Sequence, residues 1–144
     1  MKKMVVLVGI VLLFVFMAMT SDALYTKKPI TPSDVPALKG KWSGDRVLKG
    51  VPDKYLVDLE ISNDKLPLKG KLTLHKVIRA GLKERTEVIS LTTKNNEINK
   101  EGNLVIKGEK IQFELSLYTE DGKMKLEGDY RFQDLQGTLS VYKK

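Results

Sequence analysis

Apolar and polar residues alternate along most of the chain after residue 40. In residues 55–61 every second side chain is apolar, and the side chains between them include Asp58 and Glu60. Side chains of a β-strand point alternately to the two sides of a sheet, so this period of two predicts strands with one buried and one solvated face. The same period runs through residues 110–117, 123–132 and 134–142.

Short turn signals separate these segments, and asparagine, aspartate and glycine mark most of them. The connections are too short for crossover helices, which predicts antiparallel strands in an up-and-down order. Burial of their apolar faces predicts an all-β fold that closes into an eight-stranded barrel, with a two-sheet β-sandwich as the alternative. The predicted strands cover residues 41–48, 54–62, 69–78, 85–94, 103–108, 110–118, 123–132 and 134–143.

Three glycines support the barrel rather than the sandwich. They fall on the apolar side of the predicted strands, at Gly44, Gly128 and Gly137. A residue without a side chain lets strands bend sharply or approach closely, as they do at the corners of small barrels.

The first 23 residues have the three parts of a secretory signal peptide. Two lysines form a basic start, an apolar run follows over residues 4–19, and Ser21 and Ala23 are small residues at the positions that signal peptidase reads. We expect cleavage after Ala23, which makes the protein exported, either periplasmic or secreted. The alternative is an uncleaved membrane anchor, although a spanning helix needs roughly 20 apolar residues and this run is shorter.

The segment between the signal peptide and the first predicted strand, residues 24–39, is rich in proline. Its three prolines each remove a backbone donor and disfavour helix in the preceding residue. We therefore predict an extended, exposed lead-in, with an edge strand packed on the domain as the alternative. The remaining residues, 40–144, form the predicted barrel domain.

Composition narrows the chemistry open to this domain. The chain has no cysteine, which excludes disulfides, thiolate metal sites and cysteine nucleophiles. Its single histidine, His75, leaves no room for a histidine-rich metal site, so we expect neither a metal nor a cofactor. The formal net charge of +7 directs attention to acidic partners.

Ser43, Asp58, Glu60 and His75 are of the residue types that catalysis uses. Asp58 and Glu60 share one face of a strand, where basic residues on neighbouring strands are expected to pair with them. His75 is expected to point outward, and Ser43 has neither the G-x-S-x-G context nor a histidine predicted to activate it. The sequence therefore favours a non-catalytic protein, and a small hydrolase or isomerase at the barrel mouth is the opposing hypothesis.

The only tryptophan of the chain, Trp42, stands at the start of the first predicted strand, between Gly40 and Gly44. Gly40-Lys41-Trp42 resembles the G-x-W signature of the calycin superfamily, which includes the lipocalins and the avidin-like barrels. The resemblance implies an eight-stranded up-and-down barrel over residues 41–143, in which Trp42 plugs one end.

The chain also departs from both of these groups. Lipocalins are usually longer, often carry disulfides, and often place an arginine of the last strand over the tryptophan, whereas this chain ends in Lys143-Lys144. Avidin-like biotin sites use further tryptophans, which this chain lacks, so biotin is not implied. The segment 103–142 resembles small exported bacterial domains of lipocalin-like build. We therefore expect a lipocalin-like binding or interaction domain of the cell envelope.

Such a domain has two predicted ways to bind. In the first, a small apolar molecule occupies the barrel interior, and the two inward tyrosines are its polar handles. A core filled by the barrel's own side chains is the alternative at this point. The predicted lining of the interior consists of Trp42, Tyr55, Leu72, Phe113, Tyr130 and Phe132.

The second way uses the outer surface of one predicted hairpin. Residues 65–85 carry seven basic residues and one acidic residue, a charge that suits anionic lipids, envelope polymers or an acidic protein. Nucleic acid is not an expected partner, because the hairpin has no aromatic platform for bases. The alternative is a solubilising hairpin whose lysines prevent edge pairing. The predicted contact residues are Lys69, Lys71, Lys76, Arg79, Lys83 and Arg85.

Overall fold

The computed structural model describes residues 24–51, 54–76 and 85–144. Its ten strands belong to one antiparallel sheet. A 3₁₀ turn (Pro32–Asp34) and the short helix α1 (Val35–Leu38) lie between the first two strands. The strands are β1 (Thr26–Lys28), β2 (Gly40–Leu48), β3 (Lys54–Ile61), β4 (Gly70–Lys76), β5 (Arg85–Leu91), β6 (Asn96–Ile98), β7 (Leu104–Lys107), β8 (Ile111–Glu120), β9 (Lys123–Phe132) and β10 (Leu135–Lys143).

The sheet curls into a nearly closed barrel, in which β2 near the beginning of the chain pairs with β10 at its end. The strand order is β5-β4-β3-β2-β10-β9-β8-β7-β6, and β1 pairs with the part of β8 beyond β7. The predicted all-β barrel is confirmed, and the alternative sandwich is wrong because one sheet contains all described strands. The strand count differs from the predicted eight, since β1 and β6 are additional strands of three residues each.

The side chain of Asn96 helps to close the barrel beside β5 and β6, the two ends of the strand order. Its Oδ1 accepts a hydrogen bond from the Leu68 N–H (2.7 Å). Its Nδ2 donates to the carbonyl oxygens of Leu68 and Thr92, at 2.9 Å each. An amide side chain offers the same donor and acceptor as a peptide group, so Asn96 replaces a stretch of backbone pairing at this junction.

Two of the inward glycines allow strands to approach as predicted. A Cβ at Gly44 would lie 1.8 Å from the carbonyl oxygen of Ser140 on β10, and one at Gly128 would lie 1.9 Å from that of Glu114 on β8. Both oxygens belong to backbone that cannot move aside without breaking the sheet. A larger residue at either position would therefore force neighbouring strands apart.

The segment before β2 is packed on the barrel, which corrects the prediction of an exposed lead-in. Ile30, Val35 and Leu38 are buried in the core, and β1 pairs with β8. Burial of each such side chain contributes about 1.5–3 kcal/mol. Pro32 and Pro36 lie within the first turns of the 3₁₀ turn and of α1. Backbone N–H groups at these positions have no acceptor within the helix, so the missing N–H of proline removes no hydrogen bond.

The predicted signal peptide, residues 1–23, lies outside the described residues. In the part of the chain that is described, no helix has the length and apolar character to cross a membrane.

Candidate functional site

One end of the barrel, which we call the α1 end, is closed by Trp42 beneath helix α1. The indole is 1% exposed, and its Nε1–H donates to the Leu38 carbonyl at 3.0 Å. Lys143, which is paired with Trp42 across β10 and β2, donates from Nζ to the Ala37 carbonyl. Carbonyls in the last turn of a helix have no partner within it. The side chains of Trp42 and Lys143 therefore donate to carbonyls of α1 that have no acceptor role within the helix, and both sides gain a hydrogen-bond partner.

Arg46 lies on the same inner face of β2, four residues beyond Trp42 and toward the opposite end of the barrel, which we call the far end. Arg46 is only 4% exposed. The guanidinium carbon lies 5.4 Å from the ring centroid of Tyr55 and 5.7 Å from that of Tyr130. The register of β2 and β3 places Arg46 directly opposite Tyr55. The far end thus holds a buried cation between two tyrosine rings.

Part of this buried cluster has no hydrogen-bond partner. Nε and Nη2 of Arg46 and the Tyr130 hydroxyl are buried, and none of them has a well-aligned hydrogen-bond partner among the described residues, although the Tyr130 hydroxyl lies close enough to the Arg46 guanidinium to interact with it. The ion pairs formed within the described ranges do not include Arg46. A buried unsatisfied donor costs about 1–3 kcal/mol, and a charged one costs more. The two rings offset only part of that cost through cation–π attraction.

The Tyr130 side chain is held in place by its neighbours. Its ring packs on Phe113 with centroids 5.6 Å apart, and it covers Gly137, where a Cβ would lie 2.6 Å from Tyr130 Cζ. Burial raises the pKa of the Tyr130 hydroxyl, and the charge of Arg46 and the hydrogen-bonding interaction with it oppose part of that rise. The hydroxyl is therefore protonated at neutral pH and able to donate a hydrogen bond beside the guanidinium.

The predicted lining residues occupy the inner side of the barrel at different depths. Trp42, Leu72, Phe113 and Tyr130 are buried in the core, and Phe132 is partly buried against it. Tyr55 is half-buried beside Arg46. The two tyrosines that were predicted as polar handles, Tyr55 and Tyr130, therefore both lie beside Arg46.

Arg46 itself was missed by the sequence prediction. The signal was present, since residues 42, 44 and 46 are spaced by two and so share the inner face of one strand. A charged residue is usually assigned to the solvated face, because arginine is almost never fully buried unless it is paired. Arg46 is an exception to this rule, because it is buried without an ion-pair partner among the described residues.

The basic residues predicted as a contact surface are only partly described. Lys69 and Lys71 are exposed, the first just before β4 and the second on it. Arg79 and Lys83, and the side chains of Lys76 and Arg85, lie outside what the structure describes.

On the outer face, Ser43, Asp58 and His75 form a chain of hydrogen bonds across β2, β3 and β4. Ser43 Oγ donates to Asp58 Oδ1 at 2.6 Å, and His75 Nε2 lies 3.0 Å from Asp58 Oδ2. These bonds, with that from Ser43 first, lower the pKa of Asp58. The hydrogen-bond partners of Asp58 are thus Ser43 and His75, and the predicted basic partner acts on it only through the charge of Lys144. Glu60 stands opposite Lys41 and Lys71 in the strand register. A catalytic Ser-His pair needs the histidine in contact with the serine, whereas here the carboxylate separates the two.

Two polar clefts lie over the outer face of β8, β9 and β10. Their volumes are about 390 and 430 Å³, and both are lined by Glu114 and Asp129. Hydrogen bonds from Asn103 and Asn99 hold the Glu114 carboxylate and lower its pKa. Glu114 is exposed, and the barrel's own amides already bond to its carboxylate. It therefore differs from Arg46, which is buried and has nitrogen atoms without a described partner.

Metal binding has no support in the described ranges. There, no group of three or more histidine, aspartate or glutamate side chains is placed to hold an ion. Comparison with protein-family models, with curated proteins and with solved structures found no match to the chain. The geometry of the barrel interior is therefore the basis for a functional conclusion.

Proposed function

We propose that the protein is an exported, non-catalytic binding module that holds a small amphipathic molecule in the far end of its barrel. The observation that carries the proposal is the buried Arg46, whose Nε and Nη2 lack well-aligned partners among the described residues and lie beside the buried Tyr130 hydroxyl. Polar groups buried by a fold normally receive partners from that fold. A bound molecule with a polar end would supply the missing ones.

The arrangement of the interior supports a guest with an apolar body. The polar cluster is surrounded by aromatic rings and by the buried aliphatic side chains of the core. Ligand pockets in proteins commonly combine such an apolar lining with a few fixed polar groups. The α1 end is closed by Trp42 and filled by Leu38, so a guest would enter from the far end.

Export is proposed from the signal-like residues 1–23, and a calycin-like build is proposed from the resemblance of Gly40-Lys41-Trp42. At the α1 end a basic residue of the last strand, Lys143, stands beside Trp42. The resemblance implies an arginine there, so the lysine is a departure from the family pattern. The opposing catalytic hypothesis has no comparable support, because Ser43 and His75 do not touch each other.

A neutral fluorescent probe tests the proposal. N-phenyl-1-naphthylamine is expected to bind the protein saturably, with one site per chain and a blue-shifted emission that reports an apolar environment. Leu48 lies at the far end, partly buried against the core. Leu48→Trp is therefore expected to obstruct entry and to weaken probe binding.

Leu56→Trp is the matched control, since Leu56 is on neighbouring strand β3 but is 63% exposed. It adds the same ring to the outer face and is expected to leave probe binding unchanged. Equal weakening by both variants, or the absence of saturable binding in the unaltered protein, would contradict an interior site.

A further inference from the structure

The unpaired atoms of Arg46 are not an arbitrary pair. Nε and Nη2 lie on one edge of the planar guanidinium, so their N–H bonds point in nearly the same direction. That edge is one of the two that can bind both oxygens of a carboxylate with parallel hydrogen bonds. The barrel leaves this edge without a described partner, although the residue is 4% exposed.

We infer that the molecule held in the barrel is a monocarboxylate, which Arg46 binds through Nε and Nη2 while the Tyr130 hydroxyl donates a further hydrogen bond. The inference rests on the proposed function and names the chemical class of its ligand. Two donors from Arg46 and one from Tyr130 leave a carboxylate well satisfied, because its two oxygens accept hydrogen bonds and donate none.

Charge favours a carboxylate over a phosphate ester. A buried charge requires compensation, and one guanidinium compensates one negative charge. A phosphate monoester carries about −1.5 to −2 at neutral pH and presents three acceptor oxygens. Among the described residues, Arg46 is the one buried cation in this region of the barrel. A single planar anion matches that supply of charge and donors.

The surroundings of Arg46 define the rest of the ligand. The rings of Tyr55 and Tyr130 lie beside the guanidinium, and Phe113 packs behind Tyr130. The buried apolar side chains of the core extend from this cluster toward Trp42. A carboxylate on an aliphatic or aromatic body would therefore be accepted, whereas a polyhydroxylated acid would bury hydroxyls without partners.

Isothermal titration calorimetry with three probes of equal chain length tests the inference. The probes are decanoate, decanol and decyl phosphate, with the two anions used below their critical micelle concentrations and decanol below its solubility limit. The unaltered protein is expected to bind decanoate at least about 10-fold more tightly than decanol, because hydrogen bonds to a charged group typically contribute that much or more. Decyl phosphate is expected to bind more weakly than decanoate.

Substitutions of Arg46 and Tyr130 test which side-chain atoms produce the preference for decanoate. Arg46→Met is expected to bind decanoate no better than decanol, and Arg46→Lys to lose about 10-fold in decanoate affinity because lysine lacks the parallel edge. Tyr130→Phe is expected to lose about 10-fold for decanoate and nothing for decanol. Tyr118→Phe is the control, since that ring packs against Lys125, a half-buried residue away from Arg46, and its affinities are expected to be unchanged.

The possible failures are distinguishable. Equal binding of decanoate and decanol by the unaltered protein, or tighter binding of decyl phosphate, would overturn the carboxylate inference and leave the interior site standing. Saturable binding of neither the three probes nor N-phenyl-1-naphthylamine would overturn the proposed function as well. If Arg46→Met does not fold, Arg46→Lys and Tyr130→Phe decide the outcome, and an unchanged preference for decanoate in both would refute the inference.

Discussion

Trp42 and Arg46 lie four residues apart on the inner face of one strand, and their polar groups are treated in opposite ways. The Trp42 Nε1–H is paired with the Leu38 carbonyl, and nearby Lys143 is paired with Ala37. Nε and Nη2 of Arg46 have no well-aligned partner among the described residues, and the Tyr130 hydroxyl beside them has at most the guanidinium itself. The α1 end satisfies its buried donors, whereas at the far end no described residue bonds to the Nε–Nη2 edge of Arg46.

This difference separates residues that serve the fold from residues that serve a ligand. A helix cap such as the one over Trp42 repays the burial of polar groups with hydrogen bonds. A buried cation without a fixed partner lowers stability, and local departures of this kind are expected at functional sites. The following predictions test the separation, in order of decreasing effect.

Truncation at the α1 end is expected to have the largest effect. Trp42→Ala should lower the free energy of unfolding by about 3–5 kcal/mol, because it removes a fully buried ring and leaves a cavity. Trp42→Phe should cost less, since it keeps an aromatic ring and loses only part of the packing and the bond to Leu38. Urea denaturation measures both changes. A loss below about 1 kcal/mol for Trp42→Ala would show that Trp42 does not close the barrel.

Removal of the buried cation at the far end should act in the opposite direction. Arg46→Met keeps a side chain of similar length and eliminates the unsatisfied charged donors. We expect the ligand-free protein to gain about 1–3 kcal/mol in the free energy of unfolding. If Arg46 were instead part of a buried internal ion pair, the same change would cost about 3–5 kcal/mol. Chemical denaturation of protein freed of ligand distinguishes the two results.

The pairing of Lys143 with α1 should contribute a smaller amount. Lys143→Gln removes the charge that meets the last carbonyls of the helix and is expected to cost about 1 kcal/mol. Lys41→Gln, on exposed Lys41 of neighbouring strand β2, is the control and should stay within about 0.5 kcal/mol. Equal effects of the two variants in thermal denaturation would show that the contact at Ala37 has no structural role.

The smallest effect is expected at the 3₁₀ turn before α1. Hydrogen bonds from Lys28 and Thr31 lower the pKa of Asp34 from 3.8 to about 2. The ionised carboxylate therefore stabilises the fold above pH 3.8, and this contribution disappears as the pH falls toward 2. Asp34→Asn should cost about 1 kcal/mol or less at pH 7 and progressively less below pH 4. A stability difference between the two proteins that stays constant from pH 7 to pH 2 would refute the linkage.

Much of the fold could be predicted because alternation along a strand records which face is buried. Segments such as 110–117 and 123–132 show the period clearly, and the strands that they predict are present as β8 and β9. Strands β1 and β6 have only three residues each, too few for a period to appear. The burial of Leu38 could not be predicted from local sequence either, since it depends on the barrel end that Leu38 covers.

The candidate site could be predicted only in part. Tyr55 and Tyr130 were placed inside by their spacing, but their proximity to Arg46 depends on the pairing of strands far apart in sequence. The bonds of Asp58 to Ser43 and His75 were missed for the same reason, because they require the exact register of three strands. Local patterns predict the face of a residue, whereas its partners follow from tertiary structure.

The central claim is that Arg46 is kept for a ligand while Trp42 is kept for the fold. The chain has one tryptophan, and Arg46→Lys identifies the Arg46 signal, so ¹⁵N-labelled protein reports both side chains in one NMR spectrum. Titration with decanoate is predicted to move the Arg46 Nε–H resonance downfield, as a charge-assisted hydrogen bond forms, and to leave the Trp42 Nε1–H resonance in place. An Arg46 resonance that stays unchanged at saturating decanoate would contradict the account.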